Sequence, residues 1–338
     1  VRYRRRATVP ELAMIRVYSN QTQRFEERGP NDAFQLADDI IWIDLLSPES
    51  DAVGQLEAQL GIDLPTRDEL KDIEPSSRLY QEDGATYMTA TLLHKADTDE
   101  PETTNVAFIL HRQRLLTIRY AEPRPFRAFM DYAGRERTLL TDGAQVLVLL
   151  LEAIVDRNAE VLERTGTEVD SISRRIFSRR VGTRRSRGAD IETALTQIAW
   201  NQNIAAKARE SLVSLGRLVS FAMLAEGKSG GQGYREHLKS IGRDLDSLAS
   251  HASFLLSNVN FLLDAALGLI NVEQNQIIKI FSVAAVIFLP PTLVASIYGM
   301  NFEYMPELRW LYGYPLALGL MLLSALLPYW IFKRRGWL

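Results

Sequence analysis

Gly299, Met300 and Asn301 stand together in the stretch SIYGMNFEYMPEL, residues 296–308, just after a long apolar run, and Glu303 and Glu307 follow before the chain turns apolar again. A side-chain amide and two backbone carbonyls offer neutral oxygens, the donor set of a hard cation that keeps its water. Such a collar would hold the ion's hydration shell by hydrogen bonds, with the amide oxygen about 4 Å or more from the ion. Glycine at 299 can end a helix in the left-handed conformation and let carbonyls turn toward an axis. Glu303 and Glu307 either raise the local cation concentration or simply keep a short loop hydrated. The plain alternative for the tripeptide is a helix C-cap.

The elements that must position this collar are apolar. Residues 280–302 and 310–332 are two runs of about 23 consecutive uncharged residues, each enough to cross a hydrocarbon core of about 30 Å. Two buried helices of a soluble protein are the competing reading, but charge-free runs of this length rarely belong to one. The earlier VLVLLLEAIV is too short and holds Glu152. Lys279 borders the first span and Lys333, Arg334 and Arg335 end the second, while the loop between carries only Arg309, so both termini are expected inside. Tyr298, Trp310, Tyr312 and Tyr314 then belong to the outer interface, and Tyr329, Trp330 and Trp337 to the inner one. Pro290 and Pro291 are expected to loosen the first span.

Before the first span, Leu238, Ile241, Leu245, Leu248, Ala252, Leu255, Val259, Leu262, Ala266 and Leu269 recur at spacings of three and four, the pattern of a helix packed along one seam. No turn signal separates this segment from the span. One helix from about Tyr234 to Gly299 would be roughly 100 Å long. On another face run Asp246, Ser250, Ser253, Ser257, Asn260, Asp264, Gly268, Asn271 and Asn275, continued by Ile278, Ser282, Leu289, Thr292 and Asn301. A solvated outer face would favour Glu, Lys and Arg, which are better helix formers and are scarce here. Small neutral polar groups running into a membrane span instead suggest a lining for water. One span cannot enclose a pore, so several copies in a closed ring must supply the rest. Magnesium, which dehydrates reluctantly, is the cation such an uncharged collar suits.

The remainder reads as a folded domain with helices attached. IIWIDLL, YMTATLL and AFILHRQRLLTIRY are strands, the last broken by a polar turn, and Ser47 with Pro48 is a helix start. Helical periodicity covers about Asp142–Arg180 and Ala189–Glu226, joined by the basic linker RRVGTRRSRG. The fold class expected is therefore an α+β membrane protein: an α/β domain at 1–141, a helical hairpin at 142–233, a stalk at 234–279, a pore span at 280–302, an outer loop at 303–309, a second span at 310–332 and a basic tail at 333–338.

Composition removes several functions. With 39 basic and 42 acidic residues there is no nucleic-acid footprint. The absence of cysteine excludes disulfides, thiolate metal sites and cysteine nucleophiles. The basic opening VRYRRRATVP is followed by no apolar core and does not read as a secretory signal. GKSGGQG lacks Walker spacing, and His94, His111, His237 and His251 show no metal-ligand or catalytic spacing. No enzyme activity and no resident cofactor are expected. Uptake needs neither: a divalent ion crossing an inside-negative potential yields about 4.6 kcal/mol per 100 mV, roughly a thousandfold in accumulation.

YGMNFEYMPEL, IKIFSVAAVIFLPPTLVASIYGMN, the two C-terminal spans and the tail KRRGWL resemble the CorA family of magnesium and cobalt transporters, whose hallmark is Gly-Met-Asn at the end of the first span. The resemblance implies a homopentamer in a bacterial-type inner (plasma) membrane, with both termini and an α/β funnel in the cytoplasm. It places selectivity at Gly299, Met300 and Asn301, pore lining at Asn275, Ile278, Phe281, Leu289 and Thr292, and a cytoplasmic acidic ring at Asp264; Asn271 of the polar stripe is a further candidate to hold the ion. Ile278 and Leu289 would be dewetting constrictions. It further implies closure by cytosolic magnesium bound between subunits, with Asp68 in TRDELKD as one carboxylate; Ser240 stands where a stalk acid is expected, and Asp244 or Asp246 could substitute. Magnesium is the expected cargo, with cobalt and nickel as alternatives. A zinc-carrying relative, whose tripeptide would resemble Gly-Ile-Asn, and a membrane-anchored scaffold or enzyme are the rival readings.

Overall fold

The computed structural model describes residues 13–29, 36–72, 74–136, 140–177, 184–225, 232–301, 305–306 and 310–335. It separates into two compact units, Val1–Leu263 and Asp264–Leu338.

The first unit is built on a seven-stranded sheet: β1 (Met14–Ser19), β2 (Arg24–Arg28), β3 (Ile40–Leu46), β4 (Leu79–Glu82), β5 (Ala85–His94), β6 (Glu102–His111) and β7 (Arg114–Arg119). Their order is β2-β1-β3-β7-β6-β5-β4. Among the described residues only β3 and β7 pair in parallel, Trp42 opposite Leu115 through Leu46 opposite Arg119; the other pairs are antiparallel. Side chains alternate between two cores, as the pleat requires. Trp42, Met88, Ala90, Leu92, Val106, Phe108 and Leu115 join one core, and Ile43, Leu45, Tyr87, Ala107, Ile109 and Leu116 the other. All seven residues of IIWIDLL are buried, which explains its unbroken apolar run. The acid within it is answered: Asp44 accepts from Arg119 Nε at 2.9 Å, from Arg119 Nη2 at 2.8 Å and from Thr117 Oγ1 at 2.7 Å.

Helix α1 (Ser50–Leu60) covers one core and ends at Gly61 with φ 70°. It does not start at Ser47. That residue has φ 46°, and its N–H donates to Arg119 O at 2.8 Å, so sheet contacts hold it out of the helix. A 3-10 turn (Glu69–Lys71), the single turn α2 (Pro75–Arg78) and α3 (Arg124–Glu136) follow. Long helices complete the unit: α4 (Gly143–Phe177), α5 (Arg184–Ala225) and the first part of α6 (Gln232–Tyr298).

Helix α4 begins with reciprocal caps. Asp142 Oδ1 accepts the Gln145 N–H at 2.8 Å, and Gln145 Oε1 accepts the Thr141 N–H at 2.9 Å. Gly143 is required here because a Cβ would lie 2.2 Å from Leu115 N. Helix α5 serves β5, whose partner β4 pairs only with Ala85–Met88. Beyond that pairing, Thr91 N–H donates to Ser214 Oγ at 2.9 Å and Leu93 N–H to Ser211 Oγ at 3.3 Å, satisfying donors that an open edge would leave unmade. Of the linker RRVGTRRSRG, residues 184–188 belong to α5, and 179–183 lie outside the described residues.

Helix α6 packs along the predicted seam. Leu238, Ile241, Leu245, Ala252, Leu255, Val259, Leu262 and Ala266 are buried, Leu248 is half-buried, and Leu269 is exposed. The second unit holds the remainder of α6 and α7 (Gly313–Arg334). Trp310–Tyr312 precede α7, with Trp310 and Tyr312 edge to face at 6.1 Å. Helix α6 passes through Pro290 and Pro291, and α7 through Pro328, without ending.

Candidate functional site

Among the described residues two helices, α6 and α7, are long and apolar enough to cross a membrane. Within this chain they leave Ile280, Phe288, Leu293, Leu322, Leu323 and Leu327 more than half exposed. An apolar surface of that extent needs lipid or other protein to cover it. Arg334 stacks over the Trp330 ring at 3.5 Å, a basic and aromatic end suited to a membrane interface.

The faces of α6 are chemically distinct. Val283, Ile287, Val294 and Tyr298 are buried or half-buried, whereas Asp264, Asn271, Asn275, Ile278, Phe281, Ser282, Leu289 and Thr292 are exposed. Hydroxyls along the polar stripe donate to carbonyls one turn back: Ser250 to Asp246 O at 2.8 Å, Ser253 to Ala249 O at 2.8 Å, Ser257 to Ser253 O at 3.1 Å and Thr292 to Phe288 O at 2.7 Å. Each hydroxyl proton is thereby spent on the backbone; Ser253 Oγ then accepts from Arg209 Nε at 2.8 Å, and the oxygens of Ser250, Ser257 and Thr292, on exposed residues, keep lone pairs for water. Pro290 and Pro291 bring no N–H, so the carbonyls of Val286 and Ile287 lose the partner four residues on. These acceptors are an addition that only the unbroken path of the helix reveals.

At the end of α6, Gly299 N–H donates to Ala295 O at 2.9 Å and Met300 N–H to Ile297 O at 3.3 Å, the tightening of a last turn. Gly299 is not in the left-handed region that the sequence led us to expect. Its constraint is proximity: a Cβ would lie 3.1 Å from Ala295 O and 3.7 Å from Ser296 O. Met300 and Asn301 are exposed beyond the helix. Glu303 and Glu307 lie outside the described residues.

Asp68 belongs to the first unit, at the start of the 3-10 turn, and is exposed. Lys71 Nζ donates to Asp68 Oδ1 at 2.7 Å. That hydrogen bond, with the charges of Lys71 and Arg67, holds the Asp68 carboxyl below the usual carboxylate range. Lys71 was readable from sequence as the residue three after Asp68 on a helical turn. Ser240 is half-buried, and Asp244 and Asp246 are exposed on α6. Among the described residues no three His, Asp or Glu side chains gather as a metal-binding group within one chain.

The family described as CorA-like Mg2+ transporter protein matches residues 37–334. The magnesium transport protein CorA of Pectobacterium atrosepticum is 40% identical over 299 residues, covering 88% of this chain and 92% of the relative. Its counterpart from Escherichia coli (strain K12) is 38% identical over 298 residues, with 88% and 92% covered. Among solved structures, the complete CorA magnesium transporter from Methanocaldococcus jannaschii shares the fold, with a TM-score of 0.71 at 18% identity over 98% of this chain and 100% of that one. The fold and the sequence agree that this two-span membrane protein belongs to the CorA family of transporter proteins.

Proposed function

We propose that the chain is the subunit of a homopentameric channel that admits magnesium, and cobalt in its place, to the cell under the membrane potential. Members of the family form oligomeric channels, and relatives at 37–40% identity are named magnesium transport proteins. The observation that carries the reading is the exposed face of α6. Ser282 and Thr292 lie open on the apolar span, and Asp264, Asn271 and Asn275 lie open on the stalk that leads into it. In lipid such groups are costly; around a shared axis they line water.

In this reading Asn301 and the carbonyls of Gly299 and Met300 from five subunits make the outer collar, taking the hydrated ion by hydrogen bonds to its water. Ile278, Phe281 and Leu289 narrow the path with apolar rings, which close a pore by expelling water. Asp264 places a ring of carboxylates at the cytoplasmic end, and Glu303 and Glu307 concentrate cations at the outer one. Asp68 contributes to a cytosolic magnesium site between subunits that favours the closed state. Each step is transfer of a hydrated cation; no bond is made or broken.

Purified protein in liposomes, with an inside-negative potential imposed, tests the proposal. Magnesium uptake is expected for the wild type and at least about a tenfold loss for Asn301→Ala, with the oligomer intact on sizing. Undiminished flux in the variant contradicts the collar, and no flux in the wild type contradicts the channel.

A further inference from the structure

An arginine-rich groove on the first unit is used by none of the steps above. It lies between α5 and the β4–β5 region, has a volume of about 570 Å³, and is lined by Arg78, Thr91, Ala206, Arg209, Glu210, Val213, Ser214 and Arg217. Three guanidinium groups face it against one carboxylate, Glu210.

The guanidiniums are held but not neutralised. Arg78 donates Nε to Asp72 O at 2.5 Å and Nη1 to Thr91 Oγ1 at 3.1 Å, both uncharged acceptors. Arg209 donates Nε to Ser253 Oγ at 2.8 Å, again uncharged. Arg217 forms no hydrogen bond or ion pair among the described residues, although it is close enough to Arg78 for the two charges to repel. Half-burial, with the charge of Arg217, pushes the Arg78 guanidinium below its usual range and outweighs the charges of Glu210 and Asp72, which act the other way. The positive charge thus exceeds what the protein itself supplies to balance it.

The spacing indicates the shape of the missing anion. Arg209 and Arg217 are eight residues apart on α5, about 12 Å along the axis, with Arg78 on the facing wall. That distance exceeds one phosphate and suits several linked end to end. Guanidinium forks recognise phosphate oxygens in pairs, and the groove falls within the range of small-molecule sites, about 300–1,000 Å³. We propose that this groove binds a polyphosphate anion, with Arg78, Arg209 and Arg217 holding its phosphates and Glu210 weakening the hold.

Calorimetric titration of the full-length protein in detergent, free of magnesium, with inorganic tripolyphosphate tests this. Saturable binding is expected that is tighter than sulfate at equal ionic strength and weakens with added salt. Substituting both Arg209→Gln and Arg217→Gln should weaken it at least about tenfold with an unchanged thermal midpoint. Glu210→Gln should tighten it several-fold, and Arg127→Gln, at an exposed site elsewhere, should leave it unchanged. A parallel titration with ATP distinguishes sources: tighter binding than tripolyphosphate identifies a nucleotide, and equal or weaker binding the inorganic chain. Equal affinity in the wild type and the double variant, or no preference over sulfate, overturns the proposal. So does loss of the oligomer in the double variant with tripolyphosphate binding unchanged, which would assign these arginines to a neighbouring copy.

Discussion

Lys71 Nζ and Asp68 Oδ1 lie 2.7 Å apart, so the carboxylate proposed to bind regulatory magnesium already has a cationic partner three residues away. Both side chains are exposed, and the pair adds little to stability. Its effect is competitive: a divalent ion arriving at Asp68 must displace an ammonium group or share the carboxylate with it. Removing the lysine should therefore ease closure. For Lys71→Met we expect the internal magnesium concentration that halves flux in liposomes to fall about threefold or more, and for Asp68→Ala to rise. An unchanged midpoint in both variants would remove Asp68 from the regulatory site.

Gly299 at the end of α6, like Gly143 at the start of α4, is constrained by a close approach. Its φ is ordinary, but a methyl group there would press on the Ala295 carbonyl at 3.1 Å, and that carbonyl accepts the Gly299 N–H at 2.9 Å. Gly299→Ala should shift the last turn of α6 and misplace Asn301 without unfolding either unit. Magnesium uptake is expected to fall at least about tenfold while the thermal midpoint moves by no more than about 2 °C. Normal uptake would show that the collar tolerates displacement of its backbone.

Asp97 gathers three arginines: Arg164 Nη1 at 2.5 Å, Arg157 Nη2 at 2.6 Å and Arg124 Nη1 at 3.0 Å. Burial pushes its carboxyl up, but hydrogen bonds from Arg164 and Arg157, with their charges, outweigh burial and hold it at about 2. Because the folded-state value is depressed, the ionised form stabilises the fold above the ordinary carboxylate range, near pH 3.9, and this contribution is lost as pH falls toward 2. The carboxylate side chain is 42% exposed, so screening reduces the effect to about 1 kcal/mol. Asp97→Asn should lower the thermal midpoint by about 2 °C at pH 7, and the difference from wild type should shrink as pH falls and vanish only below about 2. A difference independent of pH would assign the loss to packing instead.

The sequence disclosed α6 most fully because its apolar residues obey a spacing that only one packed face can satisfy: Leu238 through Ala266 are buried or half-buried as the three-and-four pattern requires. Leu269 continues the spacing but is exposed, since periodicity marks a face and not what covers it. IIWIDLL and the strands flanking the HRQR turn were equally legible, being apolar runs bounded by turn residues. β2, in contrast, is the edge strand RFEER, whose charges hide a strand from any reading by hydrophobicity. Ser47 and Pro48 carried a local helix-start signal that loses to the hydrogen bond between Ser47 N and Arg119 O, a contact with a distant strand. In the candidate site the residue types were legible, and so was the i,i+3 spacing of Lys71 on Asp68, whereas the close approach at Gly299 depends on atomic positions.

In the proposed channel the exposed polar face of α6 looks onto water that the ion shares. The chain contains no cysteine, so single cysteines report without background. Asn275→Cys, Ser282→Cys and Thr292→Cys, treated in liposomes with a membrane-impermeant charged thiol reagent, should be modified and lose magnesium flux, with magnesium protecting Thr292→Cys. Ile287→Cys and Val294→Cys, on the more buried face, should keep both thiol and flux. Modification of the second pair with the first three untouched would place the polar stripe away from the ion path and contradict the account.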